Sequence, residues 1–278
     1  MRNVERRWPA FWAALLLAAC GTGSIIGPPD PDEVSIRLRV SGGIAGGGYT
    51  VVVDGAGREV GRTCDVICTV PPGGGVLPVS SALVAELAGA LEDAGVLALD
   101  GRDFGTQCCD QFFVELTYER GERSAHLAGT SALLPSELRW PLRLLSALAY
   151  GSVPAIVSPE TTDDDWPRDP YALGEITVDG LALKAEVSYG GGCRQHRMDL
   201  VAWGGWLESF PVQIEALVTH DDGDDPCRAF ITEERSFDLA PLARAYEEAY
   251  GSGGVERPTV ILRLWDPAGG VRMVEVRL

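Results

Sequence analysis

From Val34 onward the chain reads as short runs of alternating apolar and polar residues broken by glycine-rich turns. Val34 to Val40 and Tyr49 to Val53 are β-branched runs. Asp54-Gly55-Ala56-Gly57 offers turn chemistry before Arg58 to Arg62 returns, which predicts a hairpin. Ser81 stands as the cap of a helix whose Leu83, Leu87, Leu91 and Ala94 recur at near-helical spacing, with Gly95 placed to end it. Phe112, Val114, Leu116 and Tyr118 alternate with Phe113, Glu115, Thr117 and Glu119 and turn through Arg120-Gly121, a second hairpin. A second helix carries Leu138, Leu142, Leu145 and Ala149 and stops at Gly151, with Pro141 delaying its regular part.

Beyond residue 170 the pattern is mostly that of strands. Glu175 to Val178 turns at Asp179-Gly180 into Leu181 to Tyr189, where Leu183, Ala185, Val187 and Tyr189 share one face and Lys184, Glu186 and Ser188 the other. Met198 to Trp203, Val212 to Thr219 and Arg228 to Thr232 continue it. One helix follows, with Asp238 as cap and Leu239, Leu242, Tyr246 and Tyr250 as its apolar stripe, closed by Gly251. Thr259 to Trp265 and Val271 to Leu278 predict a closing hairpin around Asp266-Pro267-Ala268-Gly269-Gly270. Between the two patterns, Ser158 to Pro170 is rich in Pro and Asp and reads as a linker. The expected architecture is an α+β module over residues 33–157, an antiparallel sheet with two helices, then a mainly β module over residues 171–278, a sandwich or partly closed barrel with one helix.

The first nineteen residues follow a different grammar. Arg2, Arg6 and Arg7 precede an uncharged run from Trp8 to Ala19, shorter than the roughly 20 apolar residues that span a bilayer, so an export signal fits better than a transmembrane helix. The tetrad Leu17-Ala18-Ala19-Cys20 resembles the bacterial lipobox. That resemblance implies cleavage before Cys20, acylation of its thiol and attachment of the mature chain to a lipid bilayer. Gly21 in the position after the cysteine implies the outer membrane, facing the periplasm, where the cell has two membranes. Residues 20–32 mix Gly, Ser and Pro and read as a lipidated tether.

Composition narrows the partners. Forty acidic against 23 basic residues give a net charge of -17, which disfavours phosphate backbones and sets nucleic acid aside as a partner. Beyond Cys20 there are six cysteines, an even number in an oxidising compartment, so disulfides are expected. Cys193 and Cys227 stand alone in the second module and pair with each other if it is oxidised, a closure that stabilises by roughly 4 kcal/mol in the chain-entropy model. Cys64, Cys68, Cys108 and Cys109 allow three connectivities, and a strained vicinal Cys108-Cys109 bridge is disfavoured, so Cys64 and Cys68 are each expected to join one of that pair. The competing reading is tetrahedral zinc on Cys193-x2-His196 and His220-x6-Cys227, whose second spacing is wider than the usual finger pattern. Both modules are similar to uncharacterised lipoprotein domains of bacterial envelopes, the second through Gly190-Gly191-Gly192-Cys193-Arg194-Gln195-His196, His220-Asp221 and Cys227. The resemblance implies secretion and a β-rich fold, with no activity to carry over.

Candidate chemistry is sparse. No G-x-S-x-G elbow occurs, and His126, His196 and His220 are the only histidines. The acidic loop from His220 to Asp225 lacks the spacing of an EF-hand and reads as a solvated hairpin tip. Trp203-Gly204-Gly205-Trp206 places two indoles around a flexible pair, a candidate contact for a glycan or an envelope protein. The expectation is therefore a lipid-anchored, noncatalytic binding or assembly component without a cofactor. The alternatives are a secreted metal-dependent hydrolase or metal-binding protein on His196 and His220, and an inhibitor of an extracytoplasmic enzyme.

Overall fold

A computed structural model describes residues 30–43, 47–66, 75–105, 111–251 and 258–278 of the chain. In chain order the first half holds strands β1 (Val34–Gly42), β2 (Gly47–Asp54), β3 (Glu59–Val66) and β4 (Gly75–Pro78), helix α1 (Ser81–Asp93), strands β5 (Arg102–Asp103), β6 (Phe112–Arg120) and β7 (Arg123–Thr130), and helix α2 (Arg139–Ala149). Two short strands follow, β8 (Ser152–Pro154) and β9 (Ile156–Ser158). Next come β10 (Tyr171–Asp179), β11 (Ala182–Gly191), β12 (Leu200–Leu207), β13 (Val212–Val218), β14 (Ala229–Asp238), helix α3 (Ala240–Tyr250), β15 (Thr259–Trp265) and β16 (Val271–Arg277).

The strands form three sheets, ordered β4-β3-β2-β1-β6-β7-β5, β10-β11-β14-β8 and β16-β15-β13-β12-β9. In the first, the alternation of β1 buries Val34, Ile36 and Leu38 between its partners β2 and β6. Helix α1 is capped one residue before the predicted position: the Ser80 hydroxyl accepts the Leu83 amide at 3.0 Å, and Leu83, Leu87 and Leu91 are buried on its inner face. The face predicted for β11 is also the buried one, with Leu183, Ala185, Val187 and Tyr189 inside. Strand β12 runs on past its expected end because Gly204 and Gly205, both at positive φ, absorb a bulge between Trp203 and Trp206.

The expected division into an α+β module and a β sandwich or barrel is corrected by this arrangement. The chain is mostly β throughout, with three sheets and three α-helices among the described residues, and no sheet closes on itself. No α+β unit with two helices of its own separates out at the N-terminal end, because its elements are shared. Helix α2 packs on β2 and β3 but leads directly into β8, which pairs in parallel with β14, while β9 pairs in parallel with β12 and packs against α1. Arg143 of α2 adds an ion pair with Asp238 at the end of β14, at 3.1 Å. One continuous cluster of buried side chains runs from Val34 through Leu145 and Leu183 to Val276.

Candidate functional site

The second-half cysteines are joined, Cys193 to Cys227, with Cα atoms 5.7 Å apart. Cys64 on β3 is also in a disulfide, while Cys68, Cys108 and Cys109, like Cys20 and the signal, lie outside the described residues. The Cys193–Cys227 bridge closes over a buried chain of polar groups. His196 Nδ1 lies 2.8 Å from His220 Nε2, His196 Nε2 lies 3.2 Å from Asp225 Oδ2, and His220 Nδ1 lies 3.0 Å from the carbonyl oxygen of Asp169. Both imidazoles are within 2% of full burial. Their rings stack on each other, and His196 stacks on Tyr189 with centroids 4.4 Å apart. Gly191 makes room for this: a Cβ there would stand 2.5 Å from His196 Nε2 and 3.0 Å from Asp225 Oδ2.

Proton positions follow from the partners. The Asp169 carbonyl only accepts, so His220 Nδ1 carries hydrogen, and desolvation, partly offset by that carbonyl and reinforced by His196, holds the His220 pKa below its usual value. Its Nε2 therefore accepts from His196 Nδ1. Asp225 Oδ2 also accepts from the backbone amides of Gly192, Cys193 and Arg194, at 2.8 to 2.9 Å, and Oδ1 from the amide of Cys227. Desolvation opposes its ionisation, but these amides and His196 outweigh it and hold the carboxyl well below the usual carboxylate range. In long-range ¹H–¹⁵N spectra at neutral pH, His220 is expected to show a protonated Nδ1 and an unprotonated Nε2. The reverse tautomer would contradict this chain.

The nitrogens of both rings are engaged within the protein. All four ring nitrogens face protein atoms, and the only described group of three ligand-type side chains within reach of a common ion, Cys193, Asp225 and Cys227, has both sulfurs committed to the bridge. A zinc site on Cys193, His196, His220 and Cys227 does not fit these partners. The acidic loop is likewise built of turns: Asp221, Asp222 and Asp225 each accept the amide two residues on, at 2.8 to 2.9 Å. His126 lies on the outer face of β7, its Nδ1 3.1 Å from Thr117 Oγ1.

The two indoles part company. Trp203 is buried, 8% exposed, and so offers no face to a ligand. Trp206, beyond the glycine bulge, is half-buried against α3, with ring centroids 5.3 Å from Tyr246 and 6.2 Å from Tyr250. Their expected joint contact surface is replaced by packing, because the bulge turns Trp206 towards the helix.

A larger feature arises where three helices distant in sequence meet beside β9. Residues of α1, the start of α2, and α3 bound an open trough of about 1260 Å³ floored by Ile156 and Val157. Ala82, Ala85 and Gly89 line it from α1, Ala240, Ala243 and Arg244 from α3, with Trp140 and Trp166 at its sides. The Arg244 guanidinium lies 4.7 Å above the Trp140 ring and pairs with Glu248 at 2.8 Å. Glu86, Asp93, Glu137 and Glu247 also line the trough, and among the described residues none of them has an ion pair. Desolvation raises the Glu86 pKa, offset by Arg244 and reinforced by Asp93. Sequence reasoning missed this trough, because its only local sign is small residues at i, i+3 and i+7 beside the leucine stripe of α1.

No family model matches the chain, and no curated protein matches it. Among solved structures it is similar to a NigD-like immunity protein from Bacteroides caccae, at 13% identity over 87% of this chain and 90% of that one, with a TM-score of 0.33. It is also similar to a protein of unknown function from Bacteroides vulgatus, at 10% identity over 88% and 90%, TM-score 0.34. A candidate lipoprotein from Bacteroides fragilis is similar at 11% identity over 88% and 97%, TM-score 0.32. TM-scores of this size establish no shared function, and the functional reading rests on the residues of this chain.

Proposed function

We propose that this protein is a lipid-anchored component of the bacterial cell envelope that binds a partner without catalysing a reaction, with the helix-lined trough as its binding surface. The observation that carries the binding role is the trough itself, an open space of about 1260 Å³ lined by Ile156, Val157 and two tryptophans, Trp140 and Trp166. The anchor is supported by Leu17-Ala18-Ala19-Cys20 behind a positive end and an uncharged run. More than one acyl chain on Cys20 would hold it stably, at about 0.8 kcal/mol per buried methylene. Gly21 supports an outer-membrane address facing the periplasm in a cell with two membranes. Among the described residues no helix is long and apolar enough to cross a membrane. The metal-dependent hydrolase reading gains no support, since His196 and His220 spend their nitrogens on each other, Asp225 and Asp169.

The test is formaldehyde cross-linking of intact bacteria producing the chain, its Cys20→Ser variant and its Gly89→Trp variant, followed by fractionation and blotting. The unaltered chain is expected in the membrane fraction with a slower-migrating adduct. Cys20→Ser is expected in the soluble fraction, and Gly89→Trp in the membrane fraction without the adduct. Retention of Cys20→Ser in membranes would overturn the anchor, and identical adducts from the unaltered chain and Gly89→Trp would overturn the binding surface.

A further inference from the structure

Resting on that reading, we infer that the trough takes a basic amphipathic helix of a partner protein. Both long walls are helix faces at helix-packing intervals: Ala82, Ala85 and Gly89 stand at i, i+3 and i+7 on α1, and Ala240, Ala243 and Glu247 at the same intervals on α3. The alanines and the glycine among these positions let a third backbone approach closely, with Glu247 at the rim, and a Cβ built at Gly89 meets nothing within 4 Å, so the space above α1 is open. A helix with its side chains is 10–12 Å across and rises about 5.4 Å per turn, so 1260 Å³ accommodates on the order of two to three turns.

Charge decides which helix. Arg143 and Arg244, the two cations lining the trough, are engaged with Asp238 and Glu248, while Glu86, Asp93, Glu137 and Glu247 have no described ion pair. An occupant with an apolar stripe for Ile156, Val157 and Trp140, flanked by Lys or Arg, meets both the floor and the rim. The net charge of -17 steers such a cation towards the surface and opposes a second copy of this chain as the occupant.

The test titrates the detergent-solubilised full chain into fluorescein-labelled peptides of about 15 residues, read by anisotropy. Three peptides are compared: an amphipathic Leu/Lys helix, the same composition in scrambled order, and the amphipathic Leu/Glu counterpart. The Leu/Lys helix is expected to bind more tightly than its scramble by about tenfold, the scale of one well-packed apolar anchor. The Leu/Glu helix is expected not to bind. Gly89→Trp should weaken the Leu/Lys helix about tenfold with an unchanged melting midpoint. Glu86→Gln with Asp93→Asn should weaken it about threefold and flatten its salt dependence. Equal binding of the helix and its scramble, or no effect of either variant, would overturn the inference.

A photo-cross-linking residue at position 89 in cells separates this failure from failure of the binding reading. An adduct mapped to a basic helical segment is the expected result. An adduct mapped to a non-basic segment overturns the helix inference and leaves the binding reading standing, whereas absence of any adduct overturns both.

Discussion

Replacing His196 by alanine is expected to lower the unfolding free energy by about 4 kcal/mol, the range for removing one partner from a buried charged or hydrogen-bonded pair. The loss has three parts. His220 Nε2 is left without a donor in a site where the ring is 1% exposed. The Asp225 carboxylate, whose side chain is fully enclosed, loses its side-chain partner and keeps only backbone amides. A cavity opens beside Gly191 where the ring had stacked on Tyr189. His196→Phe restores the ring and the stack without the hydrogen bonds, and should recover less than half of the loss. Urea unfolding of the oxidised protein at pH 7 measures both. A cost below about 1 kcal/mol for His196→Ala would show that the chain from Asp169 to Asp225 contributes little to holding the segments together.

Asp199→Asn is expected to act in the opposite direction. Asp199 is 2% exposed, and burial pushes its pKa from 3.8 up to about 6, with the Ser80 hydroxyl and Arg235 lowering it in part and Asp221 raising it. Its Oδ1 has no hydrogen-bond partner. Because the folded-state pKa is raised, the native chain holds this proton more tightly than the unfolded chain. Stability from the group is greatest below pH 3.8 and is lost as pH rises to about 6, leaving a cost of about 3 kcal/mol at pH 7. Asparagine removes the ionisation, so the variant should be more stable at pH 7 by about 3 kcal/mol and should differ from the parent by less than about 1 kcal/mol at pH 4. Paired urea titrations across that window test it. A difference that is flat with pH would show that Asp199 does not titrate between 4 and 6.

Local pattern carried much of the secondary structure and little of its assembly. The leucine spacing of α1, the alternation of β11 and the turns at Gly121 and Gly180 are short-range signals, and each of these elements forms where its pattern predicts. The pairing of Cys193 with Cys227 was also legible, since no other cysteine lies in that half. What stayed hidden is nonlocal. Strands β8 and β9 have three residues each, too few for a period, yet their parallel pairing with β14 and β12 ties the first half to the second. Strand β14 extends through Glu233, Glu234 and Arg235, whose charge hides it from a search for apolar alternation.

The candidate site divides the same way. The approach of His196 to His220 could be suspected from the bridge that neighbours them, but the partner of His220 lies 51 residues away at Asp169, and the amide cradle around Asp225 joins segments up to 33 residues apart. Trp203 and Trp206 are adjacent to the same glycine pair and still face different surroundings, because the bulge, invisible in composition, decides which of them meets α3. The trough needs Ala82, Trp140 and Arg244 together, three positions that only the assembled fold brings to one place.

The lipid anchor is tested by mass spectrometry of the N-terminal peptide of the protein purified from bacterial membranes, because the proposed partner binding takes place at a membrane. The expected peptide begins at Cys20, carries diacylglycerol on its sulfur and lacks residues 1–19. A peptide that retains Ala19 ahead of Cys20, or one that begins elsewhere with an unmodified Cys20, would contradict it.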